Sequence, residues 1–178
     1  YHFRLKQNQK MRHAKKILRT GQLHLRQKPK IAKAPVNIEL EHNKLLRQLQ
    51  YPTTKGKRFL ETLYEMEESL VSMPKEMYTI MPAEWILQNH PYEWKLRFIL
   101  WLETFPMKSI VTKKKLCQWT ENLTYYHISQ MTDQQKLQPL LEYIEVLTES
   151  GVLQQIRFDK WVVVGYPKRY KFLEDKFK

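Results

Sequence analysis

Residues 133–166 read DQQKLQPLLEYIEVLTESGVLQQIRFDKWVVVGY, a stretch in which the spacing of apolar side chains changes from helical to strand-like. The apolar residues that fall on one helical face are Leu137, Leu140, Leu141, Ile144 and Leu147. This pattern predicts a helix that Asp133 caps and that ends at Gly151. Two β-rich runs follow at 152–158 and 161–166, and they predict a hairpin. The stretch therefore predicts a long amphipathic helix followed by two antiparallel strands.

Three further elements precede this stretch. Residues 91–105 carry the clearest helical periodicity, with a proline in the first turn and Pro106 just after the end. Residues 109–112 form a short β-like run, and residues 113–122 predict a second helix. This element order, with a Leu-rich helix followed by Glu-Ser-Gly-Val-Leu, resembles the winged helix-turn-helix arrangement over residues 91–167. The resemblance implies a fold and says little about function.

Residues 39–90 are predicted to form a helical segment that packs on this body. The first helix, at 41–50, places three leucines on one side: Leu45, Leu46 and Leu49. A second helix is predicted from Thr54, its expected cap, to Met73, and Trp85 is expected to point inward further on. The apolar stripe of the second helix is Phe59, Leu60, Leu63, Tyr64, Leu70 and Val71. The predicted fold class is mainly α with a small β-hairpin: a winged-helix-like C-terminal body preceded by helices and a basic N-terminal extension.

Eleven of the 31 Lys and Arg side chains lie in residues 1–38, a stretch that has no Asp or Glu before Glu39. They are Arg4, Lys6, Lys10, Arg12, Lys15, Lys16, Arg19, Arg26, Lys28, Lys30 and Lys33. The other residues hold 20 basic and 18 acidic side chains, so most of the formal net charge of +13 belongs to this N-terminal arm. A run of like charges repels itself and is stabilised by a polyanion. We therefore expect the arm to bind nucleic acid, with a helix over residues 4–19 and extended chain after it.

The composition of the arm favours RNA over a membrane surface. Its cations alternate with Gln, Asn and His, which donate hydrogen bonds to phosphate and sugar oxygens. It lacks the broad apolar face with Trp or Phe that an interfacial helix needs. A compact, nearly neutral body with a long basic extension is similar to ribosomal proteins as a class. We therefore expect a non-catalytic structural RNA-binding component of a large ribonucleoprotein, with the arm on rRNA and the body on neighbouring proteins.

Two alternatives stay open: a DNA-binding winged-helix protein of replication, transposition or transcription, and an adaptor whose arm binds an acidic protein. In a DNA reader the third helix lies in the major groove and needs donors or cations on its outer face. That helix instead carries Asp133, Glu142, Glu145 and Glu149 against the single cation Lys136. Secondary nucleic-acid contacts are expected elsewhere on the body and on the basic C-terminal tail, residues 168–178. These contacts are Lys113, Lys114, Lys115, Arg157, Lys160, Lys168 and Arg169.

The sequence predicts no enzyme, cofactor, metal site or small-molecule substrate. The six histidines form no metal-ligand pattern, and the single cysteine, Cys117, cannot complete a cysteine-based zinc set or an intrachain disulfide. Cys117 has Leu and Trp neighbours on its helix and is expected to be buried. No apolar run approaches the ~18–20 residues of a membrane span. The start at Tyr1 instead of Met, together with a non-catalytic body, favours a processed mitochondrial protein.

Overall fold

The computed structural model describes residues 36–127 and 131–178, and residues from Val36 to Lys178 belong to one compact unit. Its α-helices are α1 (Ile38–Gln50), α2 (Thr54–Glu65), α3 (Pro91–Glu103), α4 (Lys113–Trp119), α5 (Asp133–Glu149) and α6 (Leu173–Phe177). Short 3₁₀ helices occupy Lys75–Tyr78, Pro82–Ile86 and Thr120–Asn122. The strands are β1 (Ile110–Thr112), β2 (Leu153–Arg157) and β3 (Lys160–Val163). The described chain is mainly helical with one small antiparallel sheet, as the sequence predicts, and the helix predicted over residues 4–19 lies outside the described residues.

Side-chain caps fix where α1 and α2 begin. The Asn37 side chain accepts a hydrogen bond from the backbone N–H of Leu40 at the start of α1. The Thr53 side chain accepts one from the N–H of Gly56 at the start of α2. Thr54, which the sequence predicts as the cap, is therefore the first helical residue. The same one-residue correction applies to α5, as described below.

The end of α2 differs from the prediction, because the helix stops at Glu65 and does not reach Met73. Glu67 adopts a left-handed backbone conformation with φ of 52°. Its N–H and that of Glu68 donate to carbonyls of the last helical turn. This is the hydrogen-bond pattern of a Schellman motif, in which glycine usually takes the left-handed position. Because glutamate takes it here, the sequence carries no recognisable stop signal.

The apolar stripes of α1 and α2 are narrower than predicted. Leu45, Phe59 and Leu63 are buried in the core. Three side chains that the sequence places in these stripes are exposed: Leu46, Leu60 and Tyr64. Trp85, in the 3₁₀ helix Pro82–Ile86, is also predicted to point inward and is also exposed. A helix that packs on one neighbour buries a single stripe, and the residues beside that stripe face solvent.

α3 is the central helix of the body and buries a charged side chain together with its apolar face. The buried apolar residues are Trp94, Leu96, Phe98, Ile99 and Leu102. The Lys95 ammonium is also buried and pairs with the Glu84 carboxylate at 2.6 Å, while donating to the carbonyl of Thr79. Burial lowers the pKa of Lys95, and the Glu84 carboxylate opposes that shift. Both buried charges therefore have partners inside the protein, and the ion pair links the 3₁₀ helix Pro82–Ile86 to α3.

The sheet has the strand order β1-β3-β2, and both pairings are antiparallel. Val111, Trp161 and Val163 are buried on its inner face. α5, which packs on β2, begins after Thr132, whose side chain accepts from the N–H of Gln135. Asp133 is therefore the first helical residue of α5 and not its cap.

α5 stops just before Gly151, as the sequence predicts. The backbone of Gly151 has φ of 77°, a left-handed value that glycine adopts without strain. Buried side chains from Leu45 in α1 to Val163 in β3 form one continuous cluster. Residues 39–90 and 91–167 therefore share a core.

Candidate nucleic-acid interface

The eleven cations predicted to bind RNA all precede residue 36 and so lie outside the described residues. All seven predicted secondary contacts lie within them, and five of the seven are at one corner of the body. Three lysines begin α4, and two further cations flank the turn between β2 and β3. The backbone N–H of Lys113 donates to the carbonyl of Asp159 at 2.8 Å, which joins the start of α4 to that turn. We call this surface the basic corner and define it as Lys113, Lys114, Lys115, Arg157 and Lys160.

The strand register brings two cations of the basic corner opposite each other. Arg157 is the cross-strand partner of Lys160 in the β2–β3 ladder, and Lys160 is the partner of Thr112 in the β1–β3 ladder. The pair lies next to an irregularity in the ladder between Gln155 and Arg157, and like charges on cross-strand partners destabilise the pair. An anion bound between the two side chains removes the repulsion. The register therefore brings these two positive charges together on either side of the turn that contains Asp159.

The start of α4 carries the same kind of electrostatic cost. The Thr112 side chain caps the helix by accepting from the N–H of Lys115, and no carboxylate lies in the first turn. Lys114 is exposed. The Lys115 ammonium lies 4.7 Å from the centre of the Phe105 ring and 3.4 Å from the carbonyl oxygen of Ile110, contacts that leave its charge in place. Cations are unfavourable in the first turn of a helix, and a bound anion offsets this cost.

An exposed aromatic ring extends the corner at the tip of the hairpin. Phe158 is 83% exposed, and Ile156 before it is 49% exposed. Exposed rings beside cations stack on unpaired bases. The sequence reasoning missed Phe158, although an aromatic residue between two cations in a hairpin turn is a signal that would have found it.

The remaining two predicted contacts lie on the C-terminal tail and differ from each other. Lys168 is exposed, with its ammonium 5.2 Å from the centre of the Tyr170 ring. The Arg169 guanidinium donates to both carboxylate oxygens of Glu103, at 3.1 and 2.9 Å, and pairs with Glu68 at 3.0 Å. A guanidinium engaged by two carboxylates is poorly available to phosphate. We therefore assign Arg169 to the packing of the tail and leave it out of the interface.

The end of the tail is docked on the body through a buried lysine. Lys176, in α6, is fully buried, and its ammonium donates to the Leu70 carbonyl at 2.6 Å and to the Tyr78 hydroxyl at 3.3 Å. Burial lowers the pKa of Lys176 to about 8. Arg169 and Lys176 therefore both hold the tail against the body.

α5, the helix that a winged-helix DNA reader would place in the groove, is enclosed on two sides. One face packs into the core through Leu137, Leu140, Ile144 and Leu147. On another side Glu142 is buried and accepts a hydrogen bond from the backbone N–H of Ala83 at 2.9 Å. The prediction that Glu142 belongs to the outer acidic face is wrong, because the 3₁₀ helix Pro82–Ile86 covers it. A strip that includes Glu145 and Glu149 stays exposed.

Three further sequence predictions concern a metal site, a membrane span and the position of Cys117. Residues 36–127 and 131–178 contain no group of three or more His, Cys, Asp or Glu side chains that could hold a metal ion. The same ranges contain no helix long and apolar enough to cross a membrane. Cys117, predicted to be buried, is exposed, because α4 turns Leu116 and Trp119 inward and leaves the cysteine on its outer side.

No protein-family model, curated protein or solved structure matches this chain.

Proposed function

We propose that the protein is a non-catalytic structural component of a large ribonucleoprotein, the ribosome of a mitochondrion, and that residues 1–38 bind rRNA. The observation that carries this proposal is the acid-free run of eleven cations next to a nearly neutral body. Each cation that meets a phosphate releases a counterion, so even six to ten contacts would dominate the affinity. An arm of this composition is stabilised by RNA backbone on several sides.

The basic corner supports the same partner class independently of the arm. Its five cations come from two separate parts of the sequence, and the hydrogen bond from Lys113 to Asp159 brings those parts together. The repulsion between Arg157 and Lys160 is a cost to the free protein that a phosphate group removes. We propose that this corner contacts backbone phosphates of the same RNA.

The body is, in this proposal, a winged-helix-like fold whose β2–β3 hairpin is the wing. The order α3, β1, α4, α5, β2, β3 and the strand order β1-β3-β2 support that assignment. The fold is used differently from a DNA reader, because Pro82–Ile86 packs on α5 through the contact between Ala83 and Glu142. The wing and the start of α4 would then make the nucleic-acid contacts.

Neighbouring proteins are the proposed partners of other body surfaces. Tyr51, Leu60 and Tyr64 are exposed apolar or aromatic side chains on the α1–α2 side. Leu60 and Tyr64 lie four residues apart on α2 and so share one face, and exposed apolar surface commonly marks protein contacts. The proposal includes neither a membrane nor a small-molecule substrate.

A DNA-binding winged-helix protein of replication, transposition or transcription is the second candidate. The element order and the basic wing favour it, since wings contact duplex backbones as well. The enclosed position of α5 and the acidic strip at Glu145 and Glu149 disfavour it, because groove reading needs an exposed helix with donors or cations.

One experiment separates these candidates. The native protein is crosslinked by ultraviolet light in intact mitochondria, isolated at mild salt, and the attached nucleic acid is sequenced. Crosslinks to ribosomal RNA support the proposal, and crosslinks to a defined DNA duplex support the second candidate. Recovery of an acidic protein without nucleic acid would mean that the protein is an adaptor whose arm binds that acidic protein.

A further inference from the structure

A cleft of about 530 Å³ opens between α3 and α4, next to the basic corner. One wall is made by Arg97, Trp101 and Phe105, which lie four residues apart. The other wall is made by Lys115, Gln118, Trp119 and Asn122. Both sets have helical spacing, so each wall is one face of its helix and the turn after it. The volume lies within the roughly 300–1,000 Å³ range of sites that bind small organic groups.

The aromatic rings of this cleft are held in fixed positions. Trp101 packs edge-on against Phe105, with ring centres 4.8 Å apart. Phe98, which is fully buried, packs against both Trp101 at 5.3 Å and Trp119 at 4.9 Å. Trp101 and Phe105 are partly exposed. A planar ligand therefore meets aromatic surface that is already ordered, which reduces the entropy lost on binding.

Charge is uneven along the cleft. At one end the Arg97 guanidinium lies 3.6 Å from the Glu93 carboxylate and 3.8 Å from that of Glu65, so its charge is largely balanced. At the other end of the cleft, the ammonium of Lys115 lies over the ring of Phe105, just beyond the end of α3. Lys115 belongs to the basic corner. An anionic group is therefore favoured at the Lys115 end and an uncharged ring in the middle.

We infer that this cleft binds one unstacked nucleotide of the RNA. The base stacks on Trp101 beside the edge-on Phe105 ring, the exposed amide of Gln118 offers both a donor and an acceptor to the edge of the base, and the phosphate lies at Lys115. The inference rests on the proposed function and narrows it. The RNA contacted by the body includes a single-stranded or flipped-out nucleotide in addition to helical backbone.

The test compares two strands that carry the same backbone charge. Full-length protein is titrated with a single-stranded oligouridylate and with an abasic ribose-phosphate strand of equal length, and binding is measured by fluorescence anisotropy at fixed salt. Stacking of one base should make the base-containing strand bind roughly 5- to 150-fold more tightly. The cations of the arm and of the basic corner contribute equally to both strands, so the difference reports base contacts alone, and the cleft variants separate the cleft from the exposed Phe158 ring.

Three variants locate any difference. Trp101→Leu removes the stacking surface, and Gln118→Ala removes an exposed amide that the core does not need. Trp85→Leu is the matched control, because Trp85 is exposed and does not line the cleft. The preference for bases should disappear in Trp101→Leu, weaken in Gln118→Ala and persist in Trp85→Leu.

The other outcomes refute the inference in distinguishable ways. Equal binding of both strands overturns the cleft assignment and leaves the proposed function standing. A base preference that survives both cleft variants places base recognition elsewhere and also overturns it. Displacement of the strand from the cleft by a proline-rich peptide that itself binds more tightly would identify a peptide groove instead. Failure of both strands to bind would contradict the proposed function together with the inference.

Discussion

A variant that removes charge from the basic corner and leaves the cleft unchanged tests one defined part of the proposed interface. The variant replaces Lys113, Lys114, Arg157 and Lys160 by glutamine and keeps Lys115. Each cation that meets a phosphate contributes roughly 0.7–0.9 to the slope of log affinity against log salt, so replacing four of them should reduce that slope by about 3. The free energy of unfolding should hold or rise by up to about 1 kcal/mol, because the like-charged pair across the hairpin is removed.

The assay is fluorescence anisotropy with a structured ribosomal RNA fragment between 50 and 200 mM KCl. The matched control variant removes the same amount of charge from α1, α2 and the tail. It replaces Arg47, Lys57, Arg58 and Lys171, all of which are exposed. We expect the control to keep a slope within about one unit of the wild-type value, since its cations lie outside the basic corner.

Equal reductions of the slope in the two variants would contradict the assignment of the basic corner as an RNA contact. Net charge alone, and not the position of the cations, would then determine affinity. A normal slope in the corner variant would remove the body from the RNA interface and leave the arm as the sole candidate. Thermal unfolding curves of both variants establish that each protein is folded under the binding conditions.

Three further predictions concern stability. Burial lowers the pKa of His90 from 6.5 to about 4, and the charges of Lys55 and Lys95 add to this effect. Between these two pH values the unfolded chain binds a proton more readily than the folded protein, so the free energy of unfolding falls as the pH drops from 6.5 to 4. The loss at pH 4 is about 3 kcal/mol. The His90 side chain caps α3 by accepting a hydrogen bond from the N–H of Tyr92, and asparagine can keep that cap. His90→Asn should therefore flatten the pH profile of chemical denaturation, and an unchanged profile would contradict the role of His90. Arg169→Gln should lower the unfolding free energy by roughly 1–3 kcal/mol and leave RNA affinity unchanged, whereas a tenfold weaker affinity would return Arg169 to the interface. Gly151→Ala should cost about 1 kcal/mol, because its φ of 77° is left-handed, and thermal denaturation with no loss would show that the turn relaxes.

The sequence predicted those elements whose signals are local. The helix before Gly151 and the hairpin after it follow from the spacing of apolar residues and from a glycine that ends the helix. The end of α2 could not be predicted, because Glu67 takes a left-handed conformation that glycine usually takes. The exposure of Cys117 was also mispredicted, since the composition of a short helix does not say which of its sides faces the core.

The candidate site was predictable in composition and not in arrangement. The lysines of α4 and the cations of the hairpin are visible as charges in the sequence, but their proximity depends on the hydrogen bond between Lys113 and Asp159. The burial of Glu142 and the pairing of Arg169 arise from segments distant in sequence. Contacts between distant segments decide whether a charged side chain is free to bind a ligand or is used in packing. Helical or strand periodicity describes one segment at a time and therefore does not predict them.

The role of the arm is tested most directly by removing it. Binding of a ribosomal RNA fragment is measured for the full chain and for a truncation that starts at Val36. That start keeps Asn37, which caps α1, and the whole compact unit, while it removes all eleven cations of the arm. If most of these cations contact phosphate, the truncation should lower the salt slope by up to roughly 8–10 and weaken binding by several orders of magnitude at physiological salt. An unchanged affinity with an unchanged slope would contradict the claim that the arm is the principal RNA-binding element.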